Sequence, residues 1–229
     1  MVRDQEPLFA REGLFRQRLN QLRKDGRINQ PPAPDSINRL KELEHGNYLA
    51  NVQSTLSQQD PKEMERITLL DSVTQLYNHT TVTRALTDEL KKSKRYKRNC
   101  SVLVLLVDGL YGIQQSYGYE TADSILKGVA DFVMNEVRDV DIPARYSAEE
   151  LLVVCPETDA KGTAILAERI RTKICLERVS DIGQNWHVTC SIGIACFPDS
   201  ATTIDELVEK ARVALNQSID NGGNSVSFA

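Results

Sequence analysis

Two carboxylates, Glu149 and Glu150, stand side by side just before the apolar run Leu151 to Cys155. Paired acids in a tight turn can hold a divalent cation; otherwise they are solvated hairpin surface. Just upstream lies Arg138-Asp139-Val140-Asp141. An arginine forks two donors onto guanine O6 and N7, or lies flat on a base. A carboxylate accepts from the guanine N1 and N2 donors. Together the two side chains would read guanine. Standing alone, Arg-x-x-Asp is more often a surface ion pair worth under about 1 kcal/mol.

The other reactive residue types point to little chemistry. His45, His79 and His187 are far apart and near no obvious ligand partner, so no metal site is expected on them. The cysteines Cys100, Cys155, Cys175, Cys190 and Cys196 form no Cys-x-x-Cys pair, and most lie in strand-like apolar runs. They read as reduced, buried thiols of a cytoplasmic protein.

The elements that must position these residues fit into 229 residues, with 41% hydrophobic and 26% charged side chains. That is ordinary soluble composition. The net charge of −4 argues against a bulk nucleic-acid binder. The longest apolar runs, such as Val102 to Val107, are too short to cross a bilayer, and the N-terminus lacks a signal-peptide core.

Residues 1–66 are expected to form a helical or linker extension, poor in strand-like runs. Leu8, Phe9, Leu14, Phe15, Leu19 and Leu22 lie on one helical stripe suited to a protein partner or to this chain's own core. Pro31, Pro32 and Pro34 interrupt it, and a second helix is expected from Ile37 to Leu56. Residues 67–229 alternate regularly. Helices are expected over Asp71–Tyr96, Ala122–Val137, Lys161–Glu177 and Thr203–Asp220. Strands are expected at Val102–Asp108, Pro143–Tyr146, Leu151–Cys155, within Trp186–Cys196, and at Ser225–Phe228. The order predicts an α/β (α+β) fold, with a ferredoxin-like or cyclase-palm sheet layered by helices. The basic run Lys91 to Arg98 closes the first helix, where cations complement the dipole.

The run Arg145-Tyr146-Ser147-Ala148-Glu149-Glu150-Leu151 resembles the signature hairpin of the GGDEF family, the diguanylate cyclases, usually Arg-Tyr-Gly-Gly-(Asp/Glu)-Glu-Phe. Asp71-Ser72-Val73-Thr74-Gln75-Leu76-Tyr77-Asn78, Ser116 to Asp123, Ser191-Ile192-Gly193-Ile194-Ala195 and Asn221-Gly222-Gly223-Asn224 resemble four further family segments, in order and at family spacing. The resemblance implies a palm-like, mostly antiparallel sheet over about residues 68–229. It also implies that Arg138 and Asp141, with five residues between Asp141 and Ser147, match the family's product-binding inhibitory site. By the same spacing a third ligand arginine falls on Arg169, with Arg171 as the second candidate and Asp139 as an additional candidate contact to the ligand.

Set against an active cyclase, the resemblance implies losses. The family's metal-binding acid falls on Leu106, while Asp108, Glu149 and Glu150 are kept. Its phosphate-gripping Lys and Arg fall on Ile219 and Gly223. Its guanine-reading Asn falls on Gln114, with the partner acid kept as Asp123. Ser147 and Ala148 replace glycines that let backbone approach the nucleotide. The expectation is therefore a catalytically inactive receptor that binds cyclic di-GMP at Arg138, Asp141 and Arg169 and needs no metal or other cofactor. Glu149, Glu150, Asp108 and Asp123 would be vestigial. Output would pass to an unidentified protein partner, through residues 1–66 or a ligand-bridged homodimer. The alternatives are a weak cyclase or GTP binder using Glu149, Glu150 and Asp123, and a structural interaction module that binds no nucleotide.

Overall fold

The computed structural model describes residues 69–181 and 184–229. They fall in the second of two compact units, Met1–Arg66 and Ile67–Ala229. The helices expected before residue 67, the stripe from Leu8 to Leu22 and His45 lie outside the described residues.

The central strand is β1 (Cys100–Val107), and almost all of it is buried. A continuous run of valine and leucine can do this only where both faces of a sheet are covered. Its neighbours are β3 (Glu150–Pro156) and β6 (Cys190–Phe197), both antiparallel to it. Outside β3 lies antiparallel β2 (Ile142–Arg145); outside β6 lies parallel β7 (Val226–Phe228). The order β2-β3-β1-β6-β7 makes a mixed, mostly antiparallel sheet. A separate hairpin pairs β4 (Val179–Asp181) with β5 (Gln184–Trp186).

Alternation sorts the side chains. Leu103 and Leu105 of β1, Leu151 and Val153 of β3, and Ile192 and Ile194 of β6 enter one core cluster. Against them pack α3 (Tyr119–Glu136), through Ile125, Val129 and Val133, and α4 (Ala160–Leu176), through Ala167, Ile170 and Ile174. Each fully buried aliphatic of this kind is worth about 1.5–3 kcal/mol over exposure. On the opposite face α5 (Ile204–Asp220) lies so close to Gly193 that a Cβ there would sit 2.0 Å from the Ala211 carbonyl oxygen. The helix α1 (His79–Tyr96) contacts α5 and the strands β1, β2 and β3.

Two expectations are corrected. The first helix starts at His79, not Asp71. Asp71 Oδ1 accepts from the Val73 and Thr74 amides, and Gln75 takes φ 59°, which folds residues 71–75 into a polar turn. Leu70 and Tyr77 then bridge, and Asn78 caps the helix by accepting from the Thr81 amide at 2.9 Å. A short helix that the pattern did not announce, α2 (Leu110–Tyr117), leads through Gly118 into α3, which begins at Tyr119 rather than Ala122. It buries only Leu110, so it has no apolar stripe to read.

The cysteines are free, and all but the half-buried Cys175 are buried. Burial pushes the Cys100 thiol up to about 12 and raises those of Cys155, Cys190 and Cys196, which keeps them as thiols near neutrality. Among the described residues no helix is long and apolar enough to cross a membrane.

Candidate functional site

Helix α3 ends at Glu136, and the chain turns at Arg138–Asp141 before entering β2. The turn closes on itself. The Asp141 amide donates to the Arg138 carbonyl at 3.0 Å, and the Arg138 amide donates to Asp141 Oδ2 at 2.7 Å. Asp141 is therefore only 5% exposed, while the side chains of Arg138, Asp139 and Val140 face solvent. Burial raises the Asp141 pKa; the Arg138 amide and the Arg138 and Arg169 charges pull it partly back.

Arg169 reaches this corner from α4. Its Nε lies 2.6 Å from the Glu136 carboxylate, and its Nη2 donates to the Glu136 carbonyl oxygen, an orphan acceptor at the end of α3. Arg138, Asp141 and Arg169 thus come together. Arg171, two residues on, does not join them. It donates to Asn224 Oδ1 at 2.8 Å and pairs with Glu168. Arg138 also borders an open depression of about 590 Å³, shared with Lys97, Arg98, Glu157 and Asp159.

The acids expected to be vestigial lie elsewhere, near the β2–β3 turn and the end of β1. Tyr146 and Ser147 amides both donate to the Glu150 carbonyl, and the Ser147 hydroxyl accepts from the Glu150 amide. Arg145 braces this turn. It donates to the Ser147 and Ala148 carbonyls at 3.3 and 2.7 Å and reaches Asp71 and Asp123, each at 3.4 Å. Glu150 pairs with Arg212 of α5 at 2.5 Å, and the same guanidinium lies 5.2 Å over the Tyr146 ring. Leu106 stands directly opposite Glu150 in the β1–β3 register.

Asp108 follows β1 and accepts three hydrogen bonds. It takes the Thr189 and Ser191 hydroxyls, each at 2.7 Å, and the Asn224 amide at 2.9 Å. It therefore ties the closing loop to the sheet, with Gly223 packed against it at φ 75°. Glu149 is half-buried on the turn. Among the described residues no three His, Cys, Asp or Glu side chains cluster as a metal site.

Sequence reasoning did not single out Arg145, Arg212 or Glu136. Their partners lie far along the chain, except that Arg145 and the turn it braces are sequence neighbours. A period of 3.6 on α5 marks Arg212 only as a polar position.

A five-stranded, mostly antiparallel sheet, layered by helices and carrying an acidic hairpin turn, defines the palm-like class of nucleotidyl cyclases. The chain belongs to the GGDEF family: the family model described as "Diguanylate cyclase, GGDEF domain" matches residues 68–225. It is 31% identical over 140 residues to diguanylate cyclase A of Treponema denticola, covering 61% of this chain and 38% of that protein. To the response regulator PleD of Caulobacter vibrioides it is 27% identical over 162 residues, covering 70% and 36% respectively. The chain thus spans well under half the length of these relatives. Among solved structures, the GGDEF domain of DgcB from Caulobacter crescentus in complex with c-di-GMP superposes with a TM-score of 0.65 at 23% identity, covering 70% of this chain and 93% of that one.

Proposed function

We propose that this chain is a receptor for cyclic di-GMP on a cyclase fold that no longer turns over GTP. The observation that carries the reading is the convergence of Arg138, Asp141 and Arg169 at the end of α3. The two arginines are exposed, and each offers forked donors; the aspartate accepts from guanine N1 and N2. The similar DgcB domain was crystallised in complex with c-di-GMP, which supports the choice of ligand.

The other end of the sheet supports the loss of turnover. Magnesium requires oxygen ligands in near-octahedral array. The position for its first acid is Leu106, which leaves Glu149 as the one kept ligand acid; Glu150 is held by Arg212, and Asp108 by three donors. These residues do not fit the metal that the cyclase reaction uses. Nor does a cation stand at Ile219 or Gly223 to grip a triphosphate. Removing one charge contact of this kind costs about 10²–10³ in rate. Output passes to a protein partner, through residues 1–66 or a ligand-bridged homodimer of a cytoplasmic protein.

Isothermal titration with cyclic di-GMP, beside Arg138→Ala, tests the reading. The expected result is a dissociation constant of about 1 μM or tighter for the wild type, weakened at least about a hundredfold in the variant. Binding that persists in the variant places the ligand elsewhere. No heat from the wild type at about 100 μM ligand sinks the receptor.

A further inference from the structure

A long arginine on an exposed helix face ordinarily loses side-chain entropy when a ligand fixes it. Arg169 is fixed beforehand. Glu136 engages it twice, with its carboxylate on Nε and its main-chain carbonyl on Nη2. Both acceptors lie along one edge of the guanidinium. The other edge, Nη1 with the second Nη2 hydrogen, meets no acceptor among the described residues. That second edge has the fork geometry that fits guanine O6 and N7. The Glu136 side chain is 19% exposed, sheltered enough for the pair to hold its geometry.

We infer that Glu136 is a positioning residue of the ligand corner: it holds Arg169 by its side edge and presents the end edge beside Asp141. The inference rests on the receptor reading above. It also sets the charge of the corner. Arg138 and Arg169 are balanced by Asp141 and Glu136, with Asp139 exposed on the same turn, so the corner offers no net positive charge to the two phosphodiester anions of the ligand and selects the base edge by hydrogen-bond geometry. Affinity should then depend weakly on salt, since long-range attraction between unlike net charges is what salt screens.

The test is titration of the full chain with cyclic di-GMP at low and high salt, for wild type, Glu136→Gln, Glu136→Ala, Arg169→Ala and the double variant Glu136→Ala/Arg169→Ala. Glu136→Gln keeps an acceptor for Nε and should bind within about threefold of wild type. Glu136→Ala removes the carboxylate anchor, leaves only the main-chain carbonyl on Nη2 and adds net positive charge; at high salt it should weaken binding about tenfold, and affinity should become more salt-dependent. On the Arg169→Ala background the Glu136→Ala change should do nothing further, which a general loss of stability would not reproduce. At high salt, Glu136→Ala binding as tightly as wild type, or an undiminished loss on the Arg169→Ala background, overturns the positioning role and leaves the receptor standing. A wild type that does not bind overturns both.

Discussion

Asp141 carries the sharpest consequence at the scale of a residue, because its fold and its proposed ligand pull its proton in opposite directions. Burial raises its pKa above the ordinary 3.8, so the folded chain holds the proton more tightly than the unfolded one. Its contribution to stability is then fully present below the unfolded value and is lost as pH rises through the raised folded value. Ligand binding has the other sign. An ionised carboxylate accepts from both guanine donors, and a protonated one gives up part of that capacity. Cyclic di-GMP should therefore bind tightly at about pH 7 and progressively less well on acidification, from a pH above 3.8. Titrations between about pH 7 and pH 4.5 check this, with Asp141→Asn expected to bind weakly and without the acid limb. A wild-type affinity that is flat across the window removes Asp141 from the contact set.

What was readable at this scale divides by the range of the interaction. Arg138 and Asp141 are three residues apart, and their turn is closed by their own amides, so spacing alone brings them together. Arg169 could be placed only through the family pattern. Its choice over Arg171 depends on helix phase: two residues turn a side chain by roughly 200°, towards Asn224 instead of Glu136. Glu136 and Arg212 were illegible because what they do is set by which side chains the fold brings opposite them; Arg145 braces carbonyls only two and three residues on, a contact that the bend of the turn sets.

At the scale of elements, the strands were the legible part. An apolar run such as Val102 to Val107 has one comfortable place, the middle of a covered sheet. The helix starts were less legible. Residues 71–78 carry apolar positions at Val73, Leu76 and Tyr77 that continue a helical pattern, but the Asp71 side chain outcompetes the helix for the local amides. Two glycines test the packing directly. Gly193→Ala would put a methyl 2.0 Å from one α5 backbone atom and 2.2 Å from another, neither of which can rotate aside. Overpacking against backbone should cost more than about 3 kcal/mol, enough to abolish a cooperative folded state in a marginal domain. Gly112 of α2 has open space around its Cβ position, so Gly112→Ala should stabilise by about 0.5–1 kcal/mol. Thermal melts of the two variants decide the matter; similar behaviour of the pair would mean that α5 does not rest on β6 this closely.

At the scale of the whole molecule, the proposed ligand corner and the hairpin turn stand at separate places on one sheet, joined through β2. Glu136 ends α3, the turn Arg138–Asp141 enters β2, and β2 ends at Arg145, which braces the Ser147–Ala148 turn. Every side chain assigned to the ligand belongs to the unit Ile67–Ala229, and the sheet and its helices supply that unit's core from their own residues. A chain starting at residue 67 should therefore unfold cooperatively and bind cyclic di-GMP within about threefold of the full chain. Partner capture, if residues 1–66 carry it, should be lost in the same truncation. Melting curves and titrations of both forms measure the first claim. Affinity that drops at least about tenfold on truncation, with the melt unchanged, would place part of the ligand site in residues 1–66. The signal would then pass directly from the ligand to that segment, with no change required in the sheet.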